Sequence, residues 1–286
     1  MKRTDLHIHS LFSDGTNTPT EIISEAKRLD LTVALTDHNT VSGIPEFLSA
    51  AEEQGVCAVA GTELSTDYDG TELHLLGLFI PPENLSKVEF FTKEANLLKE
   101  ISNIELIERL NAAGYELDYV TVKKRNAGDG INRAHVAAEL LEKGYVSSIN
   151  EAFSEILAED NGFYVPPPRT RLCDAITFLR GIGAVPVIAH PLQELSEERL
   201  RALLPEAIEA GLIGIEVYHS SYDAEKIRTA IQIADDFALA KSGGSDYHGM
   251  TKPDVALGAG KGQLDIPIEI YGELLEISKK ITAEIG

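Results

Sequence analysis

The chain contains eight histidines, and most of them stand where an imidazole can join a shared metal site. Five lie at or just beyond the carboxyl end of a predicted β-strand: His7, His9, His38, His190 and His248. Active sites of α/β barrels and open α/β sheets form at that edge of the sheet. These positions predict one site built from several strand ends.

The spacing within two short segments supports this prediction. Alternate residues of a strand project from the same face, so His7 and His9 can reach one ion. Asp14 follows them in a Ser-Asp-Gly turn, and Asp246 and His248 repeat the two-residue spacing. Imidazole nitrogens and carboxylate oxygens both bind transition metals, so the two segments can supply ligands to a common centre.

Glu63 ends a third predicted strand, and His74 lies within the fourth. Taken alone, a histidine on a strand is more often structural than a ligand. Burying six histidines and three carboxylates together without a cation would be very costly, however. We therefore predict a metal centre formed by His7, His9, Asp14, His38, Glu63, His74, His190, Asp246 and His248.

The ligand types favour some metals and some reactions over others. A mixed nitrogen and oxygen shell suits Mn²⁺, Fe²⁺ or Zn²⁺ better than Mg²⁺ or Ca²⁺. The sequence has no Gly-x-Ser-x-Gly elbow, no P-loop and no dinucleotide-binding Gly-x-Gly-x-x-Gly. Their absence disfavours serine-nucleophile, nucleotide-triphosphate and hydride-transfer chemistry.

The elements that must position these residues alternate along the chain, which is typical of an α/β fold. Seven strands are predicted, at 4–9, 31–36, 56–63, 72–80, 184–189, 213–218 and 238–242. Predicted helices separate them, and the first begins with a Thr18/Glu21 capping box. About seven strands with intervening helices favour a barrel over an open sheet. The alternation of strands and helices is interrupted between the predicted strands at 72–80 and 184–189. We therefore predict a barrel domain from residues 1–85 and 169–286 with a helical insertion at 86–168.

Composition limits the possible partners. The formal net charge of −21 over 286 residues leaves no basic surface for long duplex nucleic acid. A small phosphorylated substrate remains compatible, because bound divalent metals reverse the local sign of a site. No apolar run approaches the length of a membrane span, so we expect a cytoplasmic protein. Cys57 and Cys173 are expected to be buried thiols, and the oligomeric state is left open.

Five ordered motifs give the chain a family resemblance. They are Asp-Leu-His-Ile-His-Ser at 5–10, Thr-Asp-His at 36–38, Gly-Thr-Glu at 61–63, Ala-His-Pro at 189–191 and Gly-Ser-Asp-Tyr-His at 244–248. Together they resemble the PHP (polymerase and histidinol phosphatase) family. Arg-Ala-His at 133–135 and Glu-Val-Tyr-His at 216–219 narrow the resemblance to the ribonuclease AM and nucleoside 3′,5′-bisphosphate phosphatase group within this family. The resemblance implies a distorted (β/α)₇ barrel with a helical insertion.

The resemblance also implies two to three divalent ions, with Mn²⁺ favoured, in three ligand sets. His7, His9, Glu63 and Asp246 would hold the first ion. Glu63 would bridge to a second ion bound by His74 and His190. Asp14, His38 and His248 would hold the third. Asp14 replaces a histidine of some relatives, and Asn39 replaces the acid that usually follows Thr-Asp-His.

Residues of the insertion are expected to bind the substrate. Asn132 is a predicted helix N-cap, which would place Arg133 and His135 in the first turn, where anions are favoured. From the residues alone, phosphate binding and a purely structural role are equally compatible; the resemblance favours phosphate binding. His219 would contact phosphate or protonate the leaving oxygen.

The leading functional hypothesis is metal-dependent hydrolysis of the 3′-phosphate of nucleoside 3′,5′-bisphosphates. Trimming of short oligonucleotides from the 5′ end is a related activity of similar proteins. Histidinol phosphate hydrolysis is the alternative enzyme reaction. A non-catalytic, metal-stabilised binding module is ranked below these because all nine ligand positions are filled.

Overall fold

Strands and helices alternate over most of the chain in a computed structural model that describes residues 3–125 and 130–285. The strands are β1 (Arg3–Asp5), β2 (Leu31–Leu35), β3 (Ala58–Tyr68), β4 (Thr71–Leu78), β5 (Thr170–Arg171), β6 (Val185–Ile188), β7 (Gly214–His219) and β8 (Ala240–Gly244). The helices are α1 (Pro19–Arg28), α2 (Ile44–Gln54), α3 (Leu85–Ala112), α4 (Tyr119–Lys123), α5 (Arg133–Glu142), α6 (Ile149–Glu151), α7 (Leu172–Gly181), α8 (Pro191–Glu194), α9 (Glu197–Glu209), α10 (Ala224–Asp236) and α11 (Ile268–Ile285).

Seven of the strands form a nearly closed barrel in the order β1-β2-β3-β4-β6-β7-β8, and the short β5 pairs with β3. Backbone hydrogen bonds connect the two ends of the sheet: Leu6 N donates to Gly243 O at 3.0 Å, and Asp246 N donates to His7 O at 2.9 Å. All the pairings are parallel except those of β4, which runs antiparallel to β3 and β6. The predicted distorted (β/α)₇ barrel is confirmed, and the reversed β4 is its distortion.

The two faces of the strands enter different apolar clusters, as a side-chain period of two requires. Val33 and Leu35 of β2 pack with the helical layer that includes Ile22 of α1. Ala34, between them, packs instead with Leu274 of α11. The barrel wall is therefore apolar on both faces, and the polar residues of the site lie at its carboxyl-terminal edge.

A third apolar cluster lies within the predicted insertion and includes Leu110, Val136 and Leu140. The long helix α3 serves both parts, because Val88 near its start packs in the barrel cluster and Leu110 near its end packs in the insertion cluster. A boundary near residue 86 thus falls at the beginning of a shared helix. The division into 1–85 with 169–286 and 86–168 stays a prediction.

Local signals set several helix ends where the sequence predicts them. The Thr18 side chain accepts a hydrogen bond from Glu21 N, and the Glu21 side chain accepts one from Thr18 N, which completes the capping box. Asn132 caps α5 by accepting hydrogen bonds from Ala134 N and His135 N.

The prediction that both cysteines are buried is wrong: Cys57 is exposed and Cys173 is half-buried. Among the described residues, no helix is both long enough and apolar enough to cross a bilayer.

Candidate metal centre

The structure brings all nine predicted ligands together at the carboxyl-terminal edge of the barrel. Their donor atoms fall into four overlapping groups whose members lie within 4.8 Å of one another. Five of the histidines follow β1, β2, β6 and β8, as the strand-end prediction requires. His74 reaches the same edge from β4, because that strand is antiparallel and its first half lies at this end.

Four donor atoms form the first set. His7 Nε2 lies 3.2 Å from Glu63 Oε2 and 3.6 Å from Asp246 Oδ1. His9 Nε2 lies 3.1 Å from Glu63 Oε2, 3.4 Å from Asp246 Oδ1 and 3.1 Å from His7 Nε2. Ligands bound at about 2.0–2.2 Å stand roughly 3–3.5 Å apart around one ion, so these separations suit a single cation.

The two oxygens of Glu63 serve different partners. Oε2 faces the first set, and Oε1 lies 3.0 Å from His74 Nδ1 and 3.2 Å from His190 Nε2. His38 Nδ1 also lies 3.1 Å from Glu63 Oε2. A carboxylate shared in this way is placed to bridge two ions.

Asp14 joins the remaining histidines. Its Oδ1 lies 3.2 Å from His248 Nε2, and its Oδ2 lies 3.7 Å from His38 Nε2. His9 Nδ1 is 3.8 Å from Asp14 Oδ1, so His9 borders both the first and this last set. Asp14, His38 and His248 thus lie together, whereas His74 and His190 fall into separate donor groups that share Glu63. The three-set assignment stays a prediction.

The chemistry of the buried atoms fits cations. Glu63 Oε2, His38 Nδ1 and His74 Nδ1 are buried and form no hydrogen bond within the described part of the chain. Buried polar atoms are normally hydrogen-bonded, and an orphaned carboxylate oxygen facing three imidazole nitrogens needs a positive partner. Divalent cations satisfy such atoms, so the donor set fits metal ions.

The titration behaviour has the same electrostatic origin. Burial alone would raise the pKa of Glu63, but the surrounding histidines, His7 foremost, hold it well below its usual range. Burial alone would lower the pKa values of His9 and His74. Hydrogen bonds with Asp246 and Glu63 raise the pKa of His9 to about 9, and Glu63 raises the pKa of His74 to about 10. The ionised carboxylates thus favour positive charge on His9 and His74, whereas burial dominates at His38, His190 and His248 and lowers their pKa values.

Further side chains, for which the sequence predicted no role, hold the cluster in place. Glu216 accepts a hydrogen bond from His7 Nδ1 at 3.2 Å and one from His190 N at 2.8 Å. Asp37 accepts from Ser10 N at 2.8 Å and from Ser13 Oγ at 2.5 Å, and so fixes the loop before Asp14. The sequence signal for Glu216 was a charged residue inside the apolar run Ile-Glu-Val of a predicted strand.

The backbone of the site is unusual at three positions. His190, Asp246 and Asn39 have φ values of 29°, 56° and 53°. Non-glycine residues in this region are uncommon and concentrate at functional sites. Asparagine adopts positive φ values more readily than most residues, and the Asn39 side chain accepts a hydrogen bond from Ser65 N at 3.0 Å, which accounts for an amide at this position.

Gly244 lies against the His7 backbone, where an added Cβ would meet His7 Cβ at 2.2 Å.

A cavity of about 420 Å³ opens from the cluster toward the insertion, and we refer to it as the first cavity. Its barrel wall includes Asp14, His38, His74, His190 and His248. Four basic side chains also line it: Lys99, Arg133, Arg169 and Lys252. In a chain with a net charge of −21, four basic side chains at one cavity are a local excess of cations, although Glu72 and Glu194 line the cavity as well.

Glu72 links the two arginines to the cluster. Its Oε2 accepts a hydrogen bond from Arg169 Nη2 at 2.6 Å and lies 3.7 Å from Arg133 Nη2. Its Oε1 lies 3.6 Å from His74 Nε2. The Arg133 guanidinium also stacks over the Tyr164 ring, 4.2 Å from its centroid. Arg169 was not predicted, because it follows a proline run in a loop and no local sequence signal marks it.

The three predicted substrate-binding residues are placed in different surroundings. Arg133 lines the first cavity. His135 lines a neighbouring cavity of about 480 Å³, the second cavity, and its Nδ1 accepts a hydrogen bond from Asn132 N. His219 is not among the described residues that line either cavity, and its Nε2 lies 3.5 Å from Asp246 Oδ2.

Comparisons with known proteins identify the family of the chain. The family model described as PHP domain matches residues 5–163. A 5′-3′ exoribonuclease from Haemophilus influenzae is 31% identical over 249 residues, which cover 86% of this chain and 90% of the relative. A 3′,5′-nucleoside bisphosphate phosphatase from Chromobacterium violaceum is 31% identical over 258 residues, covering 87% of this chain and 88% of the relative.

A solved structure has the same fold. It is a Bifidobacterium adolescentis protein assigned to the metal-dependent phosphoesterases, with a TM-score of 0.83, 29% sequence identity and 95% of each chain covered. The matched family model covers more than half of the chain, and the relatives span nearly all of it. The chain therefore belongs to the PHP domain family and is a hydrolase of the metal-dependent phosphoesterase type.

Proposed function

We propose that the nine clustered side chains bind two to three divalent cations, with Mn²⁺ preferred and Fe²⁺ or Zn²⁺ as substitutes. His7, His9, Glu63 and Asp246 form the first site. Glu63 shares the second site with His74 and His190, and Asp14, His38 and His248 form the third. Support comes from the 3.0–3.7 Å separations between donor atoms and from the mixed nitrogen and oxygen ligand set.

The substrate we propose is a small nucleotide with two phosphates, such as a nucleoside 3′,5′-bisphosphate or the 5′ end of a short RNA. One observation carries this proposal: the first cavity has the cluster on one wall and the Arg133/Arg169 pair on another. One phosphate at the cluster and a second at the arginines would fit this arrangement. The names of the two bacterial relatives support both forms of substrate.

In the proposed reaction, a water oxygen adds to phosphorus, the P–O3′ bond breaks, and O3′ takes a proton. Bound divalent cations supply Lewis-acid activation of the water and of the phosphoryl oxygens. Arg133 and Arg169 bind the second phosphate and so orient the nucleoside. Glu72 keeps the two guanidiniums in place before the substrate arrives. Lys252 Nζ, 2.5 Å from Asp246 Oδ2, fixes that carboxylate.

His135 and His219 act indirectly in this proposal. Burial lowers the pKa of His135 to about 4, so the ring is neutral near neutral pH and cannot bind phosphate as a cation. It is hydrogen-bonded to Asn132 and to the Ser13 backbone, and thereby connects α5 to the loop that carries Asp14. His219 faces Asp246, which favours a positioning role over proton donation to the leaving oxygen.

A panel of substrates tests the proposal. The purified protein is stripped of metal, reloaded with Mn²⁺, Zn²⁺ or Fe²⁺, and assayed for phosphate release. The substrates are adenosine 3′,5′-bisphosphate, 3′-AMP, 5′-AMP and histidinol phosphate, and the His9→Ala variant is the control. We expect metal-dependent release from the bisphosphate that greatly exceeds release from either monophosphate and is lost in the control.

The other outcomes separate the alternatives. Histidinol phosphate carries a cationic amine, which the Arg133/Arg169 pair would repel. Faster turnover of histidinol phosphate than of the bisphosphate would overturn the proposed substrate. Equal rates on the bisphosphate and on 3′-AMP would mean that the arginines bind no second phosphate.

A further inference from the structure

The second cavity borders the first along α3 and the start of α5. Three residues line both cavities, so the cavities meet at His38, Lys99 and Asn132. His38 belongs to two of the candidate ligand groups. A phosphate held at the cluster would therefore stand at the junction, with one cavity on each side.

The lining of the second cavity combines apolar surface with unpaired cations. Phe12, Leu97 and Ile131 supply the apolar surface. Within the described ranges, the ammonium groups of Lys93 and Lys99 form no ion pair, whereas Lys123 and Arg125 outside the cavity do. Apolar and aromatic side chains beside free cations are the features that bind single-stranded nucleotides, through base stacking and phosphate attraction.

Among the described residues, the two acids that line this cavity, Glu89 and Glu100, are occupied by other groups. Glu89 Oε1 accepts hydrogen bonds from Val41 N at 2.9 Å and from Thr40 Oγ1 at 3.1 Å. Glu100 pairs with Lys123 Nζ at 2.7 Å. Their charges are thus partly compensated, and the lysines remain to attract an anion.

We propose that the second cavity binds the nucleotide that follows the scissile phosphate of an RNA 5′ end, with Lys99 as the positioning residue between the two cavities. The inference rests on the proposed function and deepens it. A bisphosphate needs only the first cavity. An oligonucleotide carries a further nucleoside on the scissile phosphate, and the second cavity lies where that nucleoside would continue.

The reaction then releases one nucleotide at a time. Water adds to phosphorus, the P–O3′ bond of the first nucleotide breaks, and O3′ takes a proton. The products are a 5′-mononucleotide from the first cavity and a shortened chain whose new 5′ end keeps the phosphate. The volume of about 480 Å³ is ample for one nucleoside.

The test compares 5′-phosphorylated diadenylate with adenosine 3′,5′-bisphosphate on the full-length, metal-loaded protein. Lys93→Glu and Leu97→Asp alter the second cavity at exposed positions of α3. The matched controls are Lys87→Glu and Phe90→Asp, on the same helix but outside both cavities. We expect each cavity variant to lower the ratio of kcat/KM for the dinucleotide to that for the bisphosphate about fivefold or more. The control variants should keep the wild-type ratio.

A binding measurement removes the dependence on turnover. The metal-stripped protein is titrated calorimetrically with the same two compounds at low salt. We expect Lys93→Glu to weaken dinucleotide binding more than bisphosphate binding, with a difference that shrinks as salt is added.

Two outcomes would overturn the inference alone: hydrolysis of the bisphosphate without the dinucleotide, or an unchanged ratio in both cavity variants. If the wild type hydrolyses neither compound with any metal, the proposed function fails as well. The two failures are thereby distinguishable.

Discussion

Arg133 and His135 stand two positions apart in the first turn of α5, yet Arg133 lines the first cavity and His135 lines the second. Successive helical residues are rotated by about 100°, so two positions separate the side chains by roughly 200°. One helix turn thus forms part of the wall between two cavities. The predicted pair therefore lines two different cavities, and the second guanidinium of the first cavity comes from Arg169.

Replacing Arg133 or Arg169 should lower the kcat/KM of substrates with two phosphates more than that of substrates with one. Arg133→Ala or Arg169→Ala removes a charge-assisted contact worth about 1.5–3 kcal/mol, which lowers kcat/KM for adenosine 3′,5′-bisphosphate roughly 10- to 100-fold. Hydrolysis of 3′-AMP should change much less. Steady-state kinetics on both compounds measure the effect, with Arg171→Ala as an exposed control. Equal losses on both compounds would remove the arginines from second-phosphate binding.

Glu216 should control metal affinity through His7. Carboxylates that orient a ligating histidine typically contribute roughly 10- to 100-fold to metal binding. Glu216→Ala is expected to shift the Mn²⁺ titration midpoint by about that factor, and Glu216→Gln by less, because the amide oxygen still accepts a hydrogen bond. The exposed Glu209→Ala is the control. Identical midpoints in all four proteins would leave Glu216 without a positioning role.

Metal loading should stabilise the fold. A cation that binds only the folded state adds about 2.7 kcal/mol at a hundredfold excess over Kd, which corresponds to roughly 4–5 °C in Tm for a chain of this size. Thermal unfolding of the stripped protein with and without Mn²⁺ gives the shift, and His9→Ala should reduce it. A Tm that ignores metal in the wild type would contradict the proposed sites.

Gly244 should tolerate no side chain. An added Cβ would lie 2.2 Å from His7 Cβ and 2.5 Å from His7 N, so β1 and β8 would have to separate. Gly244→Ala is expected to abolish metal binding or soluble expression. A Cβ added to Gly272, in α11, would meet no atom within 4 Å, and Gly272→Ala should be neutral or slightly stabilising. Metal content and circular dichroism of the two variants provide the comparison.

The insertion should unfold as a unit of its own if the proposed division at 86–168 is correct. Leu110 is fully buried in the insertion cluster, and Leu110→Ala should cost about 2–5 kcal/mol. The exposed Leu141, on α5, gives the control variant Leu141→Ala. Denaturant unfolding followed by hydrogen exchange should show the loss in residues 86–168 and not in the barrel. A uniform loss would mean that the two parts unfold together.

The sequence by itself determined the barrel class and predicted which nine side chains meet at one edge of the barrel. Strand-end position and the two-residue spacing of His7 with His9 and of Asp246 with His248 are local patterns, and parallel strands bring their carboxyl ends to one edge. Helix signals were equally local, as the Thr18 and Asn132 caps show. The net charge of −21 added the prediction that long duplex nucleic acid is not a partner.

Only the tertiary structure decided which side chains of the cluster contact one another. The division of the Glu63 oxygens between two groups of histidines depends on where β3, β4 and β6 lie relative to one another, and no local pattern encodes that placement. The roles of Glu216, Glu72 and Arg169 likewise arise from contacts between residues far apart in sequence. Packing of the insertion against the barrel created the two cavities. Periodicity specifies which face a side chain occupies, whereas long-range packing specifies which neighbours it meets there.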